Sequence, residues 1–166
     1  MKTYKIITLG CRTNQYESQA LSDQLTKKGY RKAQIGEKVE ICIVNTCSVT
    51  HSADKRSLYQ IRKLLTEHHP KKLVVTGCGA EKLTHIPEVT HIIPNINKEK
   101  LLSLIYPEEK WPHFFCIEHF EAHTRAFVKI QDGCNAFCSY CMIPFVRGRS
   151  RSKQTSHILH LSLIHI

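Results

Sequence analysis

The sequence predicts an α/β fold, a doubly wound parallel sheet with helices on both faces. Short apolar runs alternate with longer segments of helical periodicity, and a glycine or asparagine closes most of the runs. Three of those runs also end on the same kind of residue: Leu-Gly-Cys11, Asn-Thr-Cys47 and Thr-Gly-Cys78, spaced about one βαβ unit apart.

In chain order, residues 3–9 read as a short buried strand stopped by Gly10 and Cys11. Residues 15–28 turn helical, because Tyr16, Ala20, Leu21 and Leu25 recur at three-to-four-residue spacing and Gly29 ends the segment. Residues 39–44 are the second strand, stopped by Asn45-Thr46-Cys47. A helix over 52–68 follows, with Leu58, Ile61, Leu64 and Leu65 on one face and Pro70 just beyond. Leu73–Thr76 is the third strand, stopped by Gly77-Cys78. A short helical piece is expected at 79–84, an apolar run at 91–94 and a helix over 97–105.

A chain of 166 residues holds one domain of about 100–150 residues and little more. Its 24 Lys and Arg against 14 Asp and Glu give +10, which favours an anionic partner, nucleic acid being the commonest, with a solvated basic surface as the alternative. The apolar run from Lys2 to Gly10 is too short for a signal peptide and is interrupted by Cys11-Arg12. No run approaches the ~18 residues of a membrane span, so a cytoplasmic protein without membrane contact is expected. There, its eight cysteines stay reduced and available to metal.

All strands of a parallel sheet end on one edge, and ligands bind there. Topology thus delivers Cys11, Cys47 and Cys78 to one place, where neighbouring strands ~4.8 Å apart let three thiolates converge. A second group is local. Cys134, Cys138 and Cys141 are separated by three and then two residues, in a loop opened by Gly133. Soft thiolates from one loop wrap a metal centre and leave a four-site centre one open position. A structural zinc site would be closed, so zinc and redox-thiol chemistry remain alternatives to a cluster at this point. Cys42, inside a strand, is expected in the core, and Cys116 outside either site.

Residues 107–122, with Pro107, Pro112 and the single Trp, read as a connection. Residues 125–131 form a new strand running into the Cys134 loop, as catalytic loops follow the strands of βα barrels. Too few residues follow Arg125 for a barrel of roughly 200 residues or more, so it does not close within this chain. Arg147, Arg149 and Arg151 make a basic loop, and 153–166 a short, poorly capped amphipathic segment.

Together Thr8-Leu-Gly-Cys11-Arg-Thr-Asn14, Asn45-Thr-Cys47-Ser-Val-Thr50, Thr76-Gly-Cys78 and Gly133-Cys134-Asn-Ala-Phe-Cys138-Ser-Tyr-Cys141 resemble the methylthiotransferases of the radical S-adenosylmethionine class. The segment from Asn45 to Ser57 is most similar to the branch acting on threonylcarbamoyladenosine in tRNA; sister branches act on isopentenyladenosine in tRNA or on an aspartate of a ribosomal protein. The resemblance implies two 4Fe–4S clusters. Cys134, Cys138 and Cys141 would hold one that binds S-adenosylmethionine and delivers an electron to it, giving a 5′-deoxyadenosyl radical. Cys11, Cys47 and Cys78 would hold an auxiliary cluster that carries the sulfur. Tyr140 is expected beside the S-adenosylmethionine adenine. The implied partners are tRNA and an electron donor of the flavodoxin kind.

The division this predicts is an N-terminal auxiliary-cluster domain over 1–118, the truncated start of a radical S-adenosylmethionine partial βα barrel over 119–151, and an atypical tail over 152–166 such as a cut or shifted reading frame leaves. A chain lacking the rest of the barrel is expected not to turn over by itself. The contrasting class is a non-catalytic metal-binding module that contacts RNA through its basic surface.

Overall fold

The computed structural model describes residues 2–48, 50–112, 115–117 and 127–164, with the side chains of His51 and Ile164 outside that description. The chain runs β1 (Thr3–Thr8), α1 (Arg12–Lys27), β2 (Arg31–Lys32), β3 (Ile41–Thr46), α2 (His51–His68), β4 (Lys72–Gly77) and β5 (His91–Ile93). The strands order as β2-β1-β3-β4-β5, and every neighbouring pair is parallel. This is a doubly wound sheet whose order reverses between β1 and β3.

Alternation along β3 decides which helix covers which face. Ile41 and Ile43 join Tyr16, Ala20, Leu21 and Leu25 of α1 in one core cluster. Cys42 and Val44 point the other way, onto Ile61 and Leu64 of α2. Cys42 is therefore a core residue, as expected, and burial pushes its thiol up to about 12. Each of these fully buried aliphatic side chains contributes about 1.5–3 kcal/mol.

The helix ends follow local chemistry. Thr50 caps α2 by accepting the Ala53 N–H at Oγ1, 3.2 Å away. Helix α1 stops where Gly29 takes a positive φ and Tyr30 N–H returns to Leu25 O.

Some expectations change. The helix expected over 97–105 is a 3₁₀ stretch, Asn95–Lys100, that becomes regular α3 only at Leu101–Ile105. Ala80–Leu83 is likewise 3₁₀. Of the strand expected over 125–131, residues 125 and 126 lie outside the described residues. Residues 127–130 are irregular, and only β6 (Gln131–Asp132) is extended and paired, antiparallel to β7 (Arg151–Ser152). Between those two strands lies α4 (Ile143–Arg147). The tail forms α5 (Thr155–Ile164), but it is not amphipathic: Leu161 is buried while Leu159 and Leu163 are exposed, because its apolar residues are too closely spaced to keep to one face.

Candidate metal centre

Register brings the three strand ends that lead into Cys11, Cys47 and Cys78 to one edge of the sheet. Thr8 pairs with Asn45, Asn45 with Thr76 and Thr46 with Gly77, so the residues just beyond these strands leave the same edge of the sheet. The ends are tied by Leu9 N–H to Asn45 O (2.9 Å) and Cys78 N–H to Thr46 O (3.2 Å). Two glycines permit this closeness. A Cβ on Gly10, where φ is +91°, would lie 2.6 Å from both Cβ and Sγ of Cys47. One on Gly77 would lie 2.3 Å from Thr46 O. No other residue type fits either place without moving the neighbouring strand end.

Each of these cysteines stands between a strand end and a helical N-terminus. Cys11 is the N-cap residue of α1, Cys47 precedes the Thr50 cap of α2, and Cys78 precedes the turn at Ala80–Leu83. Cys11 is exposed, Cys78 half-buried and Cys47 buried. Burial raises the Cys11 thiol, but the Asn14 N–H, the Arg147 guanidinium and Thr13 outweigh it and bring the thiol below its ordinary range. At Cys78 burial prevails over Arg147 and Lys98, and the thiol is raised.

The second cysteine set lies on one exposed loop. Gly133 opens it with a positive φ, at a spot where a Cβ would strike Arg149 O at 2.2 Å. Cys134 N–H donates to Gly148 O (3.1 Å), Ala136 N–H to Cys134 Sγ (3.5 Å) and Cys141 N–H to Cys138 O (2.9 Å). Phe137 takes a left-handed φ of 48°, packs edge-on against Phe145 and lies under the Arg149 guanidinium. Tyr140 is 90% exposed on this loop.

Between the two sets runs a buried ionic network that sequence reasoning missed. Arg147, 4% exposed, donates from Nη1 to Glu17 Oε1 (2.9 Å) and Asp132 Oδ1 (2.8 Å), and from Nη2 to Asn14 Oδ1 (2.6 Å). Lys129 Nζ donates to Glu17 Oε1 (2.6 Å) and Asp132 Oδ2 (2.9 Å), and Lys98 Nζ donates to Glu17 Oε2. Burial alone would raise the Glu17 carboxyl, but Lys98, Lys129 and Arg147 hold it at about 2. Asp132 is held at about 2 in the same way, by Lys129 and Arg147. One signal was available: Glu17 follows Asn14 by three residues and precedes Leu21 by four, a carboxylate on the apolar stripe of α1.

The model of the uncharacterized protein family UPF0004 matches residues 3–97. The chain belongs to that family. It is 41% identical to the threonylcarbamoyladenosine tRNA methylthiotransferase MtaB of Chlamydia pneumoniae, over 95% of this chain and 38% of the relative. Identity to MtaB of Bacillus subtilis is 32%, covering 96% of this chain and 40% of the relative. It is also 32% identical to the tRNA-2-methylthio-N(6)-dimethylallyladenosine synthase of Moorella thermoacetica, over 95% of this chain and 41% of the relative. The chain thus spans about two fifths of the length of these relatives.

Among the described residues, no three His, Cys, Asp or Glu side chains are gathered as a site for a single metal ion. A cubane cluster makes a different demand, since each thiolate binds a separate iron and the sulfurs stand further apart. The residues present fit such a group. Gly10 lets the Cys47 side chain pack directly against the end of β1, the first turn of α1 faces the Cys11 thiol, and the cationic Arg147 lies beside Cys78. On the loop, a backbone N–H already points at Cys134 Sγ.

Proposed function

We propose that this chain is part of a tRNA methylthiotransferase that inserts a methylthio group on threonylcarbamoyladenosine. One observation carries the reading: register sets Cys11, Cys47 and Cys78 on one sheet edge, and a buried network joins that edge to the Cys134–Cys141 loop. Preference for threonylcarbamoyladenosine rests on the 41% identity to the Chlamydia pneumoniae enzyme of that name. The +10 charge suits a polyanionic backbone as substrate.

In this reading Cys11, Cys47 and Cys78 hold an auxiliary 4Fe–4S cluster, and Cys134, Cys138 and Cys141 hold a second one with an open position for S-adenosylmethionine. When bound, these groups supply the electron, from a flavodoxin-like donor, that starts radical chemistry, and the sulfur that is inserted. The protein's own contribution is to hold and screen them. The N-terminus of α1 at Cys11 favours anionic sulfur. Cys47, only 7% exposed, keeps its thiol from water, whereas Cys138 and Tyr140 leave the loop open on the side where a small cofactor would enter. Tyr140 would lie against the adenine of that cofactor.

Anaerobic reconstitution tests the reading. About eight irons and as many sulfides per chain are expected. One or two zinc ions without iron would favour a closed structural site and overturn it. The substrate is tested by expressing the complete gene in a bacterium lacking this modification and analysing its tRNA nucleosides. Methylthio-threonylcarbamoyladenosine is the expected product, and methylthio-isopentenyladenosine alone would move the protein to the sister branch.

A further inference from the structure

The buried network carries three cations, Lys98, Lys129 and Arg147, against two carboxylates, Glu17 and Asp132. Lys98 and Lys129 already balance both carboxylates. Arg147 is the excess charge, and an unbalanced buried cation costs several kcal/mol unless an anion faces it. Its Nη2 donates to Asn14 Oδ1 as well as to Glu17 Oε2. Asn14 Nδ2 in turn donates to Leu9 O (2.7 Å) and Thr46 O (2.9 Å), the carbonyls just ahead of Gly10-Cys11 and of Cys47. On its other side Arg147 is followed by Gly148, whose carbonyl accepts the Cys134 N–H. One side chain therefore connects the backbone that carries Cys11 and Cys47 to the backbone that carries Cys134.

We propose that Arg147, through Asn14, is the positioning residue that registers the Cys134–Cys141 loop against the Cys11/Cys47/Cys78 edge, and that its unbalanced charge suits that edge to an anionic metal–thiolate centre. The second half rests on the proposed function; the first does not.

Two measurements on the full chain decide it. In the metal-free chain, Arg147→Met is expected to speed hydrogen exchange of the Cys134 amide at least tenfold, while the β3 and β4 amides keep their protection. Unchanged exchange at Cys134 would overturn the positioning role. In the reconstituted chain carrying Cys134→Ser, Cys138→Ser and Cys141→Ser, only the edge centre remains. There Arg147→Met is expected to shift the midpoint potential to more negative values, because a cation that favoured the reduced, more anionic state has gone. Arg147→Lys keeps the charge but cannot span Glu17, Asp132 and Asn14 together. It should restore the potential yet still speed exchange at Cys134, so it decides the positioning role if Arg147→Met does not fold, and the neutral Arg147→Gln then takes the place of Arg147→Met in the potential measurement. An equal potential in wild type, Arg147→Met and Arg147→Lys would overturn the charge role. Failure of the unsubstituted edge to take up iron would remove the proposed function and the charge role together, with hydrogen exchange still deciding the positioning role.

Discussion

Glu17→Gln separates charge balance from hydrogen-bond count. The Glu17 side chain is 2% exposed and meets three cations, Lys98, Lys129 and Arg147, all of them nine-tenths or more buried. Glutamine preserves volume and one acceptor but removes the charge, leaving those cations against Asp132 alone. Removing one partner of a buried ion pair costs about 3–5 kcal/mol. That is a large part of the roughly 5–15 kcal/mol that holds a domain folded. Arg147→Met removes more hydrogen bonds, yet it leaves two cations facing two carboxylates. Its cost is the unsatisfied Asn14 Oδ1, about 1–3 kcal/mol. Glu17→Gln is therefore expected to be the more damaging change, and the double variant less damaging than the two costs added. Urea unfolding of the reduced, metal-free chain, followed by circular dichroism, measures all three. A loss below about 1 kcal/mol for Glu17→Gln, or a larger loss for Arg147→Met, would refute the charge count.

The same network predicts acid sensitivity. Glu17 and Asp132 are both held at about 2, below their unfolded values, so their contribution is complete above about pH 5 and is lost as pH falls toward 2; the urea midpoint should drop across that window, less steeply in Glu17→Gln. Gly10→Ala places a methyl 2.6 Å from Cys47 Cβ and Sγ at a φ of +91°, so about 1–3 kcal/mol of strain and faster alkylation of Cys47 by iodoacetamide are expected. Cys78→Ala should halve the iron bound after reconstitution. Cys42→Ser should leave iron unchanged and cost about 1–3 kcal/mol through a buried hydroxyl, as a thermal unfolding scan would show.

Much of the sheet was legible because its information is local. The apolar run over 39–44, the three-to-four spacing in α1 and α2, and the glycines at Gly10, Gly29 and Gly77 each speak within one element. Strand-end cysteines were legible for the same reason, since parallel topology turns a sequence pattern into a shared edge. Elements held by other means were not. Strand β2 is two residues long and exists through pairing with Thr3 and Tyr4, which no periodicity announces. The strand expected over 125–131 has apolar Phe127 and Ile130, but among its described residues Gln131 alone is paired, to Ser152, and the pairing continues to Asp132 with Arg151. The Glu17–Arg147 contact spans most of the chain. The basic loop read from sequence holds one arginine that is buried, Arg147, and only the fold distinguishes it from Arg149 and Arg151.

Asn14 limits what the sheet edge can bind. In a doubly wound sheet the chain leaves the central strands toward opposite faces, and the crevice that opens there usually takes the ligand. Here that place lies between β1 and β3, and the fully buried Asn14 closes it by donating to Leu9 O and Thr46 O at once, while Asn45 Nδ2 donates back to Asn14 O (2.9 Å). Glycine-lined phosphate binding needs a helix N-terminus whose amides face open space. At Cys11 the first turn of α1 faces a thiol instead, and the Cys47 side chain covers Gly10. A nucleotide seated in the crevice would have to displace Asn14 and with it the Arg147 contact. A centre held at the rim by Cys11, Cys47 and Cys78 displaces neither.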